Sequence, residues 1–206
     1  MDIVKKGTRG VLAALIALAC GLVVGFGLVG CQSEESQVKD ALTQELDTIK
    51  NHNEDAQQVF KEAGGDYLLT LGLDSTTFLD AWLEGFSYEI GDVTLGSDGK
   101  TADVAVTITA KRLDTAFDAV INELPTWIAD NPSVTEEEAL NHAGTMIIEQ
   151  LKATSPSTSS VIINLTKSDQ GWAVSEQGSN GLYEAMLGSM VSTGGDTGTV
   201  ANEATN

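Results

Sequence analysis

The chain has 206 residues, with 30 acidic and 11 basic side chains and a net charge of −19. A phosphate backbone would be repelled by such a surface, which excludes nucleic acid as a partner and disfavours tight docking of the folded surface on anionic lipid. Two cysteines, Cys20 and Cys31, are too few for a disulfide framework or for the clustered thiolates of a structural zinc site, so the fold must rest on its apolar core.

The first ten residues carry Lys5, Lys6 and Arg9 against one acid, Asp2, and an almost uninterrupted apolar run follows from Val11 to Gly30. That is the layout of an export signal. At about 20 residues the run could also cross a bilayer as a helix, so its end has to decide between the two. Gly21, Gly25, Gly27 and Gly30 weaken a permanent helix by about 1 kcal/mol each relative to alanine, and the Gly21/Gly25 spacing is a weak dimerisation signal in so glycine-rich a segment. Leu28-Val29-Gly30-Cys31, at the exit of the run, resembles the lipobox of bacterial prolipoproteins at all four positions.

That resemblance implies diacylglycerol on the Cys31 sulfur, cleavage between Gly30 and Cys31, and residence on the outer face of the bacterial cytoplasmic membrane. A thiol is the strongest common side-chain nucleophile, and each buried CH₂ of the acyl chains adds about 0.8 kcal/mol to the anchor. The resulting organisation is a signal peptide over 1–30, a lipidated tether over 31–35, a single domain over 36–191 and a disordered tail over 192–206. Loss of the signal peptide removes three bases and one acid, so the mature chain carries 8 basic and 29 acidic side chains, a net charge of −21.

From Ser36 to Ala63, apolar residues recur three and four apart, which predicts an amphipathic helix stopped by Gly64-Gly65. A second helix is predicted to start at Asp74 or Ser75 and to place Phe78, Leu79, Trp82, Leu83 and Phe86 along one side. Ser87–Leu95 and Thr101–Lys111 read as a hairpin around Gly96-Ser97-Asp98-Gly99-Lys100, with Ala102, Val104, Val106, Ile108 and Ala110 on its buried face.

Leu113–Asp130 returns to helical spacing, with Pro125 expected to kink or divide it. Thr135 and Glu138 form a capping box for a helix running to Ser155-Pro156, and Glu136, Glu137 and Glu138 favour its positive N-terminal end, which accounts for the acid run without a metal. Ser160–Lys167 and Trp172–Ser175 predict a second hairpin, followed by a short helix over Leu182–Val191. The expected fold class is α+β, with an antiparallel sheet of two hairpins packed against several helices. Over about residues 36–176 this order resembles, at fold level, the NTF2-like or cystatin-like domains of small bacterial lipoproteins.

Catalytic patterns are missing. Only His52 and His142 could serve a Ser-His-Asp set, both in predicted helices, and no G-x-S-x-G turn presents a serine. No H-E-x-x-H, paired C-x-x-C, calcium loop or phosphate loop occurs, so no metal or cofactor is expected. With so many acids, some carboxylate pair will always lie at a glycosidase-like distance, which removes the value of finding one. Asn164-Leu165-Thr166 matches a glycosylation sequon by chance, since it falls within a strand.

Trp82, Phe86, Tyr88 and Trp127 are the one set that could line an apolar ligand pocket, although aromatics this scarce also serve as core. The sequence therefore points to a non-enzymatic, membrane-anchored extracytoplasmic binding or interaction module. The alternatives are a small-molecule-binding or enzymatic domain with an apolar pocket, and an envelope protein with a mainly structural role.

Overall fold

A computed structural model describes residues 33–52, 57 and 66–188. The signal peptide, the lipobox with Cys31, the far half of the first predicted helix with its Gly64-Gly65 stop, and the tail from 192 lie outside the described residues.

Among the described residues six helices accompany one four-stranded antiparallel sheet, the α+β class the sequence implies. The elements are α1 (Glu34–Asn51), α2 (Asp66–Thr70), α3 (Ser75–Leu83), β1 (Ser87–Leu95), β2 (Thr101–Ala110), α4 (Leu113–Asp130), α5 (Glu136–Ala153), β3 (Ser157–Ser168), β4 (Gly171–Val174) and α6 (Glu176–Leu187). The strands follow one another in the order β1-β2-β3-β4, so the two predicted hairpins are joined edge to edge by β2 and β3, from Thr101 opposite Thr166 to Ala110 opposite Ser157.

Alternation in β2 creates the sidedness. Ala102, Val104, Val106, Ile108 and Ala110 are buried, and their neighbours across β3, Ile163 and Leu165, are buried with them. The other face carries Asp103, Thr107, Thr109, Thr158 and Ser160, all exposed or half-buried. Among the described residues the buried side chains of the sheet are on the apolar side. α1 lays Val38, Leu42, Leu46 and Ile49 into that side and touches both outer strands. It is pinned at its start by Lys167 Nζ donating to Glu34 at 2.5 Å, and near its end by the Tyr88 hydroxyl donating to Asp47 at 2.7 Å.

Several boundaries differ from the sequence expectation. α1 begins at Glu34, two residues early, because Ser33 accepts the Ser36 N–H and supplies the cap. α2 was not anticipated; five residues are too few to display a helical period. Pro125 does not divide α4, which is a single helix over Leu113–Asp130. The helix C-terminal to Ile121 is exposed, so water can take the carbonyl that proline leaves without its usual donor. The capping box of α5 forms as expected, with Glu138 N–H donating to Thr135 at 3.2 Å and Thr135 N–H donating to Glu138 at 2.9 Å.

The last helix starts at Glu176, capped by Ser175, six residues before the predicted Leu182. Gly178 and Gly181 hide it from a propensity reading, yet Gly178 is required by packing and Gly181 lies close to the Ile162 carbonyl. α6 runs along β3 where β4 is too short to pair with it, and a Cβ on Gly178 would collide with the backbone of Asn164. Replacing Gly178 with alanine should therefore destabilise the protein by about 2 kcal/mol. Urea unfolding followed by circular dichroism checks this, with Gly99→Ala beside it: that side chain would meet nothing within 4 Å but would carry a positive φ of 62°. A Gly178→Ala loss no larger than the Gly99→Ala loss would refute the close-approach account.

Candidate functional site

Three of the four aromatic candidates are built into the core. Trp82 is 1% exposed, packs its ring 6.1 Å from that of Phe78, and donates its indole N–H to the Lys111 carbonyl at 3.0 Å. Phe86 is buried 6.3 Å from the ring of Tyr88, whose hydroxyl is engaged by Asp47. Burial, and then the Asp47 carboxylate, push the Tyr88 phenol up to about 12. Trp127 is not brought to this set; it stacks on His142 at 3.9 Å, between α4 and α5. The other histidine, His52, pairs with Asp80 at 2.8 Å.

A shallow depression of about 300 Å³ lies instead on the polar face of the sheet, lined among others by Glu89, Gly91, Ala105, Thr107, Ser160 and Ile162. It exists because Gly91 and Asp92 bulge out of β1 opposite Ala105, between the pairs Ile90/Val106 and Val93/Val104. Neither histidine is among its lining residues.

Glu45 is the functional type of residue that sequence reasoning missed. It lies on α1 three residues after Leu42 and four before Ile49, on the stripe the helix turns to the core. Its Oε1 is buried without a hydrogen-bond partner among the described residues, and burial pushes the carboxyl up to about 8. Such an acid keeps its proton at neutral pH and can act only as a neutral donor or acceptor. The available signal was its position on the apolar stripe, which one polar letter in a helix does not make conspicuous. Trp172 has an indole N–H in the same condition, under the Lys167 ammonium at 5.6 Å from its ring.

A third feature is the outer half of the α4–α5 hairpin. From Ile121 to His142 no residue is buried, although this stretch includes Ile121, Leu124, Trp127, Ile128, Val134 and Leu140. Ile121 and Ile128 are each 40% exposed. Between Arg112 and Lys152 the chain has eight acids and no lysine or arginine. The hairpin is thus acidic, with Leu124 and Leu140 packed against the edge of the core and Ile121 and Ile128 left exposed.

No group of three or more His, Cys, Asp or Glu side chains among the described residues is placed to hold a metal ion, and no described helix is long and apolar enough to cross a membrane. No protein-family model matches the sequence, and no curated protein matches it. Among solved structures, the chain is similar to one described as a "putative lipoprotein (ycdA)" from Bacillus subtilis, with 21% identity and a TM-score of 0.49. The match covers 75% of this chain and spans 57% of that protein's length.

The buried Glu45 carboxyl makes a signed prediction. Its folded-state value lies above the ordinary 4.5, so the fold holds a proton that the unfolded chain releases between about pH 4.5 and 8. Stability from this group is complete below that window and is lost as pH rises through it, by about 1.4 kcal/mol per unit. Glu45→Gln should match the parent protein at pH 4 and unfold at a higher urea concentration at pH 8 and above. Parallel pH profiles for the two proteins would show that Glu45 is not a protonated buried acid.

Proposed function

We propose that this protein is a lipid-anchored, non-enzymatic interaction module on the outer face of a bacterial cytoplasmic membrane, held by acyl chains on Cys31. The observation that carries the reading is the run Leu28-Val29-Gly30-Cys31 at the exit of the apolar segment, two residues before Ser33, the cap of the first described helix. Two residues from Cys31 to Ser33 reach about 7 Å at full extension, so the domain would ride close to the lipid surface.

The fold gives that tether a direction. Glu34 is bonded to Lys167, and the Lys167 N–H donates to the Lys100 carbonyl, so the start of α1 shares one end of the sheet with both hairpin turns. Ala110 and Ser157 mark the opposite end, about 30 Å away along β2. α4 leaves the sheet, and α5 returns to it, at that far end. An anchored domain would therefore hold its helical arm away from the membrane, where other envelope proteins can meet it. Confinement to two dimensions raises the effective concentration of such partners without adding any contact.

Glu45 supports a second reading, a small-molecule site, since a carboxyl that keeps its proton and has an unpartnered buried Oε1 can donate to or accept from a ligand. Apolar dyes should then alter the tryptophan fluorescence of the protein, and Glu45→Leu should abolish that change; no response in the parent protein would end this reading.

The anchor is tested by the intact mass of the membrane-extracted protein. A mass equal to residues 31–206 plus diacylglycerol is expected, and Cys31→Ser should lose both the lipid and the cleavage. An unmodified full-length mass in the parent protein would overturn the anchor and leave residues 11–30 attached.

A further inference from the structure

The C-terminal end of α1 is joined to α3 through one residue. His52 closes α1 with a backbone φ of 29°, in the left-handed region that non-glycine residues seldom adopt, and its N–H, its carbonyl and its ring are all engaged there. The N–H donates to the Thr48 and Ile49 carbonyls at 3.1 and 3.2 Å. The carbonyl accepts from the Gln57 amide at 3.1 Å, and the Gln57 Oε1 in turn accepts the Thr76 hydroxyl at 3.1 Å. The ring lies with Nε2 2.8 Å from an Asp80 carboxylate oxygen and Nδ1 3.2 Å from the Lys50 carbonyl. Thr76 and Asp80 are one turn apart on α3, so the two straps reach the same side of that helix.

Both partners of the ring are acceptors. A carbonyl and an ionised carboxylate have no proton to give, and a neutral imidazole has one N–H and one lone pair, so it can satisfy only one of them. The imidazolium has two N–H groups and satisfies both, and it stands at the negative end of the α1 dipole. We propose that His52 is a proton-operated clasp: with both ring nitrogens protonated it holds the end of α1 to α3, and with one proton lost it leaves an acceptor facing a lone pair and loosens that junction. Imidazole changes charge within the range of pH that a cell exterior meets. The Gln57 strap has no titrating group and stays in place, so the junction loosens without coming apart.

The other charged groups near the ring are Glu45 and Lys50 on its own helix and Glu84 at the end of α3, with Glu54 and Asp55 following it in the chain. Glu84 is engaged by Lys111. Asp80 is exposed, which makes the clasp a local device and a small contributor to global stability. It goes beyond the interaction-module reading and does not depend on the lipid. On that reading, however, α1 is the helix that follows the anchor, and external pH would set how firmly its far end is joined to the domain.

The test uses the full chain in detergent micelles at pH 5.5 and 8.5, with the ring nitrogens followed by heteronuclear NMR and backbone hydrogen exchange by mass spectrometry. The chain has two histidines, so His52→Asn identifies the His52 signals and leaves His142 as the reference. At pH 5.5 both ring N–H signals of His52 should be visible, and at pH 8.5 one should be gone. Exchange over the last turn of α1 and over α3, corrected for the intrinsic rate and compared with β2 and β3, should be faster at pH 8.5 by about fivefold or more. Asp80→Asn decides the cause. Its amide can turn an oxygen to a protonated ring nitrogen or an NH₂ to a bare one, so it should hold the junction at both pH values and remove that fivefold change. Glu45 titrates in both proteins, so the difference between them belongs to the clasp. His52→Asn, neutral throughout, should also lose the pH response but exchange fast at both values. An equal pH response in the parent protein and Asp80→Asn, or His52 ring N–H signals that exchange as freely at pH 5.5 as those of an isolated imidazolium, would overturn the proposal.

Discussion

The buried ammonium of Lys111 holds together the parts from which the arm is launched. At 2% exposure it stands at the end of β2, donates to the Ala81 carbonyl at 3.1 Å and to the Glu84 carboxylate at 2.6 Å, and offers its own carbonyl to Trp82. A cation at the C-terminal end of α3 satisfies a helix carbonyl and favours the negative end of the dipole. Hydrogen bonding and then attraction from Lys111 hold the Glu84 carboxyl below its ordinary value. One side chain and one carbonyl thus fix α3 against the sheet at the point where the chain turns into α4. Arg112 and Asp114 continue the device, with Arg112 donating to Asp114 at the first turn of that helix.

A sheet covered on one side has to manage its edges, and here each edge has a different remedy. β1 is interrupted by the Gly91-Asp92 bulge, which breaks the regular row of donors and acceptors a foreign strand would need. Glu89 and Asp92 add charge at the same place. β3 outruns β4 by most of its length, and α6 closes the gap by bringing Gly178 and Gly181 against the carbonyls of Asn164 and Ile162. Strand addition is therefore disfavoured at both edges. Among the described residues the large apolar side chains that remain exposed are Leu69, Ile162, Ile121 and Ile128, spread over three parts of the fold.

The parts legible in the sequence were those with local causes. The alternation of 102–110, the Asp74 cap that accepts the Thr77 N–H, and the Thr135/Glu138 box each act within a few residues, and each is found where the letters place it. What escaped was set by distant partners. Residues 176–181 read as a loop because two glycines lower helix propensity, and only the approach to β3 explains why they are helical. Pro125 read as a break because the pattern does not show that its turn faces water. The four aromatics share a residue type but not a place: Trp127 is held on His142, and Trp82 on the end of β2. Glu45 was invisible for the opposite reason, as a residue type that usually marks a wet surface on a stripe that turns inward.

Charge and packing on the arm have to be considered together. The apolar stripe of α4 continues from Phe117 in the core through Leu124, which together with Leu140 of α5 packs against the core's edge, while Ile121 and Ile128 on the same stripe are exposed. The basic side chains among the described residues lie on α1, on the turn ending at Lys100, on β3, at the Lys111-Arg112 junction and near the end of α5, and none lies between Ile121 and His142. This separation leaves the field of the arm uncompensated.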